Sequence, residues 1–170
     1  MVRRQSIRKF RDRPLSGAQI KKIVDAAVTA PSSLNSQPWK FVVLKSAAKK
    51  KALRQIYSGA RVKLKLYAQD TSFVEKATPI VVVCEDNDYG KILSCAMAIQ
   101  NMFLAAESIG LGSLPSVTIL MDNGSEKGLE NLINLKSGKI VLVTFFGNKD
   151  ERPQRKPKKE TDSLVFEDSL

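Results

Sequence analysis

The chain has 170 residues, 43% hydrophobic and 26% charged, with 28 Lys and Arg against 17 Asp and Glu for a formal charge of +11. This is an ordinary globular mix with the length of one domain, expected over 1–170, and it excludes wholesale disorder. No apolar run approaches the roughly 18–20 residues of a membrane span. The basic N-terminus MVRRQSIRKF lacks the apolar stretch of a leader, so a cytoplasmic protein is expected.

The first clear helix opens at Leu15-Ser16, where Ser16 and Gln19 form a capping box. Ile20, Ile23, Val24, Ala27 and Val28 follow at the spacing of one buried stripe. Ala30-Pro31-Ser32-Ser33 stops it, and Asn35-Ser36-Gln37-Pro38 continues as loop. Trp39 to Leu44 reads as a central strand because its apolar run is nearly unbroken. Ser46 caps a second helix, with Ala48, Ala52, Leu53, Ile56, Tyr57 and Ala60 along one face. Residues 61–77 are partly helical, Thr78-Pro79 breaks the chain, and Ile80 to Cys84 is a second buried strand. After the turn Asp86–Gly90 comes the longest helix, about Lys91 to Ile109. Much of its circumference is apolar or small, so it is buried on more than one side, in the core or against a second subunit. Gly110 and Gly112 end it, residues 113–121 are loop passing into a short strand, and a helix is expected around Lys127–Leu135. Ile140 to Phe146 is a strong strand closed by Gly147. Arg152–Lys159 runs over the surface, and Leu164-Val165-Phe166 makes a last short strand. The whole reads as α+β, with strands buried between helices.

Histidine is absent and only Cys84 and Cys95 are present. That removes His-based triads, His-metal sites, a disulfide framework and a four-cysteine metal site. Neither a catalytic side chain nor a metal ligand is assigned. A bound organic cofactor is then the expected carrier of any difficult chemical step.

The positive charge is clustered. Residues 1–13 carry a net +5, 149–159 a net +4, and 40–65 nine basic groups with no acid, whereas 160–170 is −4. Three readings stay open: a solvated surface, a nucleic-acid face, or a phosphate site built where the two chain ends meet. Arginine suits the third because its planar fork can bond two phosphate oxygens together.

Four segments carry a resemblance. They are Arg4-Gln5-Ser6-Ile7-Arg8-Lys9-Phe10; the decapeptide Ala30-Pro31-Ser32-Ser33-Leu34-Asn35-Ser36-Gln37-Pro38-Trp39; Ala98 to Glu107 with Gly110-Leu111-Gly112; and Gly147 followed by Lys156-Pro157-Lys158. In this order they resemble the FMN-dependent nitroreductase family over nearly the whole chain. The resemblance implies a mixed sheet sandwiched between helices in an intertwined homodimer, with two FMN molecules at the interface and the 160–170 tail as an arm around the partner. It implies that Arg4, Ser6 and Arg8, with Gln5 in the same stretch, hold the FMN phosphate and ribityl chain, joined by Lys156 and Lys158. Pro31, Ser32, Ser33 and Asn35 would lie along the flavin, one of them reaching over from the partner. Leu114-Pro115-Ser116, in the loop after the long helix, would sit near the ring's reactive edge.

The implied activity is a ping-pong oxidoreductase that takes a hydride from NAD(P)H and reduces nitro compounds, quinones or similar small acceptors. A phosphate of about −2 charge matches the clustered cations, and neutral Ser and Asn donors suit a polar ring edge. The chain departs from most members in being short, with only a turn before the long helix where some relatives have a helical lid. The alternatives are a specialised flavin-binding member, for dehalogenation or flavin breakdown, and a basic nucleic-acid-binding module using 40–65. Against the last stand 6% aromatics and the lack of a nucleic-acid motif.

Overall fold

The computed structural model describes residues 4–66, 70–154, 157–160 and 163–166. Among the described residues, five helices and four strands follow in the order α1 (Gly17–Ala27), β1 (Trp39–Val43), α2 (Ala47–Lys63), α3 (Phe73–Lys76), β2 (Thr78–Cys84), α4 (Tyr89–Ser108), β3 (Leu111–Ser116), α5 (Asn123–Ile133) and β4 (Lys139–Asn148). Short 3₁₀ turns occupy Ser33–Asn35 and Thr118–Met121. The strands form one antiparallel sheet in the order β1-β2-β4-β3. Outside these four strands, the N-terminal segment adds an isolated parallel bridge from Ser6 to Ser113 on β3.

β2 shows why the sheet lies between helices. All seven of its residues are buried, and they alternate between two cores, as the period of two along a strand requires. Ile80, Val82 and Cys84 face a cluster with α1 and α4, where Ile23, Ala27, Cys95, Met102 and Ala106 are fully covered. Val81 and Val83 face a second cluster with Leu53, Tyr57, Phe73 and Leu129 from α2, α3 and α5. Tyr57, Phe73 and Phe145 pack edge to face there, with ring centroids 5.2–6.0 Å apart.

Several expectations hold. Ser16 and Gln19 make both bonds of the capping box, and Ser46 accepts from Lys49 N–H at the start of α2. The expected stripe of α1 is buried at Ile20, Ile23 and Ala27, while Val28 is exposed. Trp39 is buried. The α2 face is buried at Leu53, Tyr57 and Ala60, although Ala48 is exposed.

Others are corrected. β1 is an edge strand, because an unbroken apolar run reports helices over both faces rather than strands along both sides. Thr78-Pro79 belongs to β2; Pro79 donates no N–H but its carbonyl still accepts from Leu44, at 2.9 Å. Residues 111–116 form the strand and 118–121 the turn, the reverse of the expected order. Leu164-Val165-Phe166 is not a strand: it pairs with none of the described strands, and its apolar side chains are exposed, with no core to hold them in a ladder.

Candidate cofactor site

The N-terminal segment is held by two apolar anchors, Ile7 and Phe10, both buried. They lie against the glycines of two strands. A Cβ added at Gly112 would sit 2.9 Å from Ile7, and one at Gly147 would sit 2.8 Å from Phe10. Ile7 N–H donates to Ser113 carbonyl at 2.9 Å. On either side of Ile7 the polar residues of the motif stay within reach of solvent: Gln5 and Ser6 before it are half-buried and Arg8 after it is exposed.

Arg4 lies over the Phe103 ring of α4, its guanidinium carbon 6.0 Å from the centroid. Its Nη1 is buried with no hydrogen-bond partner. Ser36 Oγ, in the decapeptide loop, is the other buried side-chain polar atom without a partner among the described residues. A buried donor left unpaired costs about 1–3 kcal/mol, and both atoms fall within motifs singled out for ligand binding. The donor set therefore fits a ligand that brings acceptors, and Arg4 suits a phosphate.

The N-terminal segment meets the start of the basic run 149–159. Arg11 N–H donates to Asn148 carbonyl (2.9 Å), Asp150 N–H to Lys9 carbonyl (3.0 Å), and Phe10 bridges Lys149. Glu151 Oε1 accepts from the backbone N–H groups of Arg8 and Lys9. Lys149 Nζ pairs with Glu107 of α4 at 2.8 Å. A cleft of about 250 Å³ opens here, lined by Gln5, Glu107, Lys149, Glu151 and Arg152 among others. Lys158 is exposed and makes no bond to the described N-terminal residues; Lys156 lies outside the described residues.

The decapeptide loop sits elsewhere. Ser33 N–H donates to Ser94 Oγ near the start of α4 (3.2 Å), and Ser32 Oγ accepts from Gln37 N–H (3.1 Å). Leu34, Asn35 and Gln37 adopt φ of 52°, 54° and 47°. Asn tolerates this region, but for leucine it is strained, and Leu34 is fully exposed. Pro31, Ser33 and Asn35 are exposed and Ser32 is half-buried. No hydrogen bond joins 31–35 to 4–8, so within one chain the two motifs stand apart along α4.

Leu114, Pro115 and Ser116 are in β3 rather than in a loop, paired with Phe145, Thr144 and Val143. β3 is an edge strand, where proline is tolerated. Leu114 is buried, and Ser116 Oγ turns inward to Tyr57 hydroxyl (3.4 Å) and Thr118 Oγ1 (3.2 Å). Sequence reasoning passed over Phe103, Ser36 and Glu151. The first two carry no chemical signal of their own, whereas Glu151 is conspicuous as an acid inside a basic run. The basic block 40–65 is partly neutralised: Arg54 pairs with Glu75 and Lys63 with Asp122, each at 2.8 Å.

Comparison with known proteins places this geometry. The chain is 32% identical over 157 residues to an Archaeoglobus fulgidus protein provisionally named an NADH dehydrogenase/NAD(P)H nitroreductase, covering 88% of this chain and 83% of that one. It is 29% identical to the NADPH-flavin oxidoreductase of Vibrio harveyi, over 96% of this chain and 70% of the relative. The structure of a Bacteroides fragilis nitroreductase with bound FMN superposes with a TM-score of 0.79 at 22% identity, covering 98% of this chain and 95% of that one. The Nitroreductase family matches residues 1–148, and the chain belongs to that family.

Proposed function

We propose that this protein is an FMN-dependent oxidoreductase that draws on NAD(P)H, works as a homodimer and reduces nitro compounds, quinones or similar acceptors by a ping-pong cycle. The observation that carries the reading is the unpartnered Arg4 Nη1, buried on Phe103 beside the junction of the two chain ends. Its relatives support the cofactor and the reductant: one is named an NADPH-flavin oxidoreductase, and a nitroreductase of the same fold carries FMN. Use of NAD(P)H implies a cytoplasmic setting.

Arg4, Ser6 and Arg8 would hold the phosphate, with Gln5 alongside and Lys156 and Lys158 closing from the C-terminal segment. Pro31, Ser32, Ser33 and Asn35 would border the ring of the partner subunit's flavin, because in their own chain they stand away from the cationic end. Leu114, Pro115 and Ser116 would line the edge through backbone atoms, since Ser116 hydroxyl is engaged internally. Bound FMN would supply the redox capacity that side chains without histidine lack. The chain's own residues bind, orient and neutralise it. Only residues 85–88 separate β2 from α4, which leaves the substrate side open to acceptors of varied shape.

A visible spectrum before and after NADH tests the reading. Purified protein should show bound-flavin absorbance that bleaches on reduction and returns with a nitroaromatic or a quinone. Colourless protein that cannot be reconstituted with FMN would overturn it.

A further inference from the structure

Glu151 has no part in the flavin reading, and simple electrostatics argues against its position. It lies among Lys149, Arg152, Lys158 and Lys159, beside the cations assigned to a dianion, where a carboxylate repels phosphate. The hydrogen bonding gives it a different task. Backbone pairing ties residues 9–11 to 148–150 and extends no further towards Arg8. At that point Glu151 Oε1 accepts from Arg8 N–H and, at 3.0 Å, from Lys9 N–H. Two successive amides converging on one carboxylate form a strong, charge-assisted contact. It fixes Arg8 and anchors the start of the basic C-terminal segment at the same point. It also spends both amides on an internal acceptor, leaving the side chains of Arg4, Ser6 and Arg8 to meet a phosphate.

We propose that Glu151 is a positioning residue of the phosphate site, a latch that clamps the two chain ends so that cations from both reach one phosphate. The inference rests on the flavin reading above. It makes a counterintuitive demand: removing this acidic side chain, and with it the acceptor for two amides, weakens binding of an anion.

The test is titration of flavin-free protein with FMN and with riboflavin, which lacks the phosphate, followed by quenching of flavin fluorescence. E151A should raise the Kd for FMN about tenfold, the scale of a lost hydrogen bond to a charged group, and leave the riboflavin Kd unchanged. E151Q keeps an oxygen acceptor for the two amides, so it should bind FMN within about threefold of wild type. Should E151A not fold, E151D, too short to reach both amides, should show the same selective loss of FMN. Unchanged or tighter FMN binding in E151A would overturn the proposal, tighter binding marking Glu151 as a competitor for the phosphate. Equal losses for FMN and riboflavin would also overturn it, as general damage. Wild-type protein that takes up neither flavin would overturn the flavin reading itself, a result separable from failure of the latch.

Discussion

Arg4 combines a stacked guanidinium with an unused donor, and the two halves of that description separate in a single variant. Arg4→Met keeps an apolar stem over Phe103 and removes the unpartnered Nη1. The cation–π contact is worth about 0.5–1 kcal/mol, and no hydrogen bond is broken. Relief of the unpaired donor, about 1–3 kcal/mol, offsets or exceeds that loss, so the flavin-free protein should be at least as stable as wild type, while the Kd for FMN rises at least tenfold, about the value of a charge-assisted bond. Thermal melting and fluorescence titration check the two parts. At this scale the sequence was legible wherever the chemistry resides in residue type. Arginines and serines spaced along a short segment permit a phosphate site, and the resemblance over four motifs singles that reading out from a solvated arm. Phe103 was not legible, and Glu151 was legible only as an acid inside a basic run, because the value of each depends on what the fold sets opposite it. A buried phenylalanine on a helix looks the same whether or not an arginine rests on it.

The elements that carry the site are fixed by small groups at their ends. Asp122 caps α5, accepting from Ser125 N–H and from Lys63 Nζ, each at 2.8 Å. The Lys63 bond first, then those from Ser125, lower its pKa to about 2. A folded pKa below the unfolded value of about 3.9 means that its stabilising effect is complete above that value and is lost as pH falls towards 2. The gap in Tm between wild type and Asp122→Ala should be full at neutral pH and close progressively below about pH 4, as thermal melts across that range would reveal. Gly147→Ala would drive a methyl to 2.8 Å from Phe10. It should cost about 1–3 kcal/mol by overpacking, lower the Tm and loosen FMN binding together, because the same contact docks the phosphate-binding segment. Caps such as Ser16 and Ser46 were readable because capping is local. β1 and residues 111–116 were misread because strand neighbours are chosen by distant parts of the chain: β3 pairs with β4, more than twenty residues downstream. A proline followed by serine signals a loop until an edge position makes it harmless.

For the molecule as a whole, the apolar surface on α4 is the informative quantity. Leu93 and Met97, one turn apart, are 45% and 42% exposed on a helix whose opposite side is fully covered. In the proposed homodimer, a second copy of the chain on that face would bury them. Sedimentation should give twice the mass of one 170-residue chain. The double variant Leu93→Asp, Met97→Asp should sediment as one chain and lose FMN while keeping its helical circular dichroism. The sequence showed a helix buried on more than one side, in the core or against a second subunit, and did not decide between the two, since burial against a partner and burial in the core demand the same residue types. The two thiols, Cys84 on β2 and Cys95 on α4, are completely enclosed. Burial, with Cys84 close by, pushes the Cys95 thiol up to about 12. An alkylating reagent at neutral pH thus finds nothing to attack until the chain opens, and the rate of label incorporation becomes a built-in clock for unfolding, readable by mass spectrometry without touching the flavin chemistry.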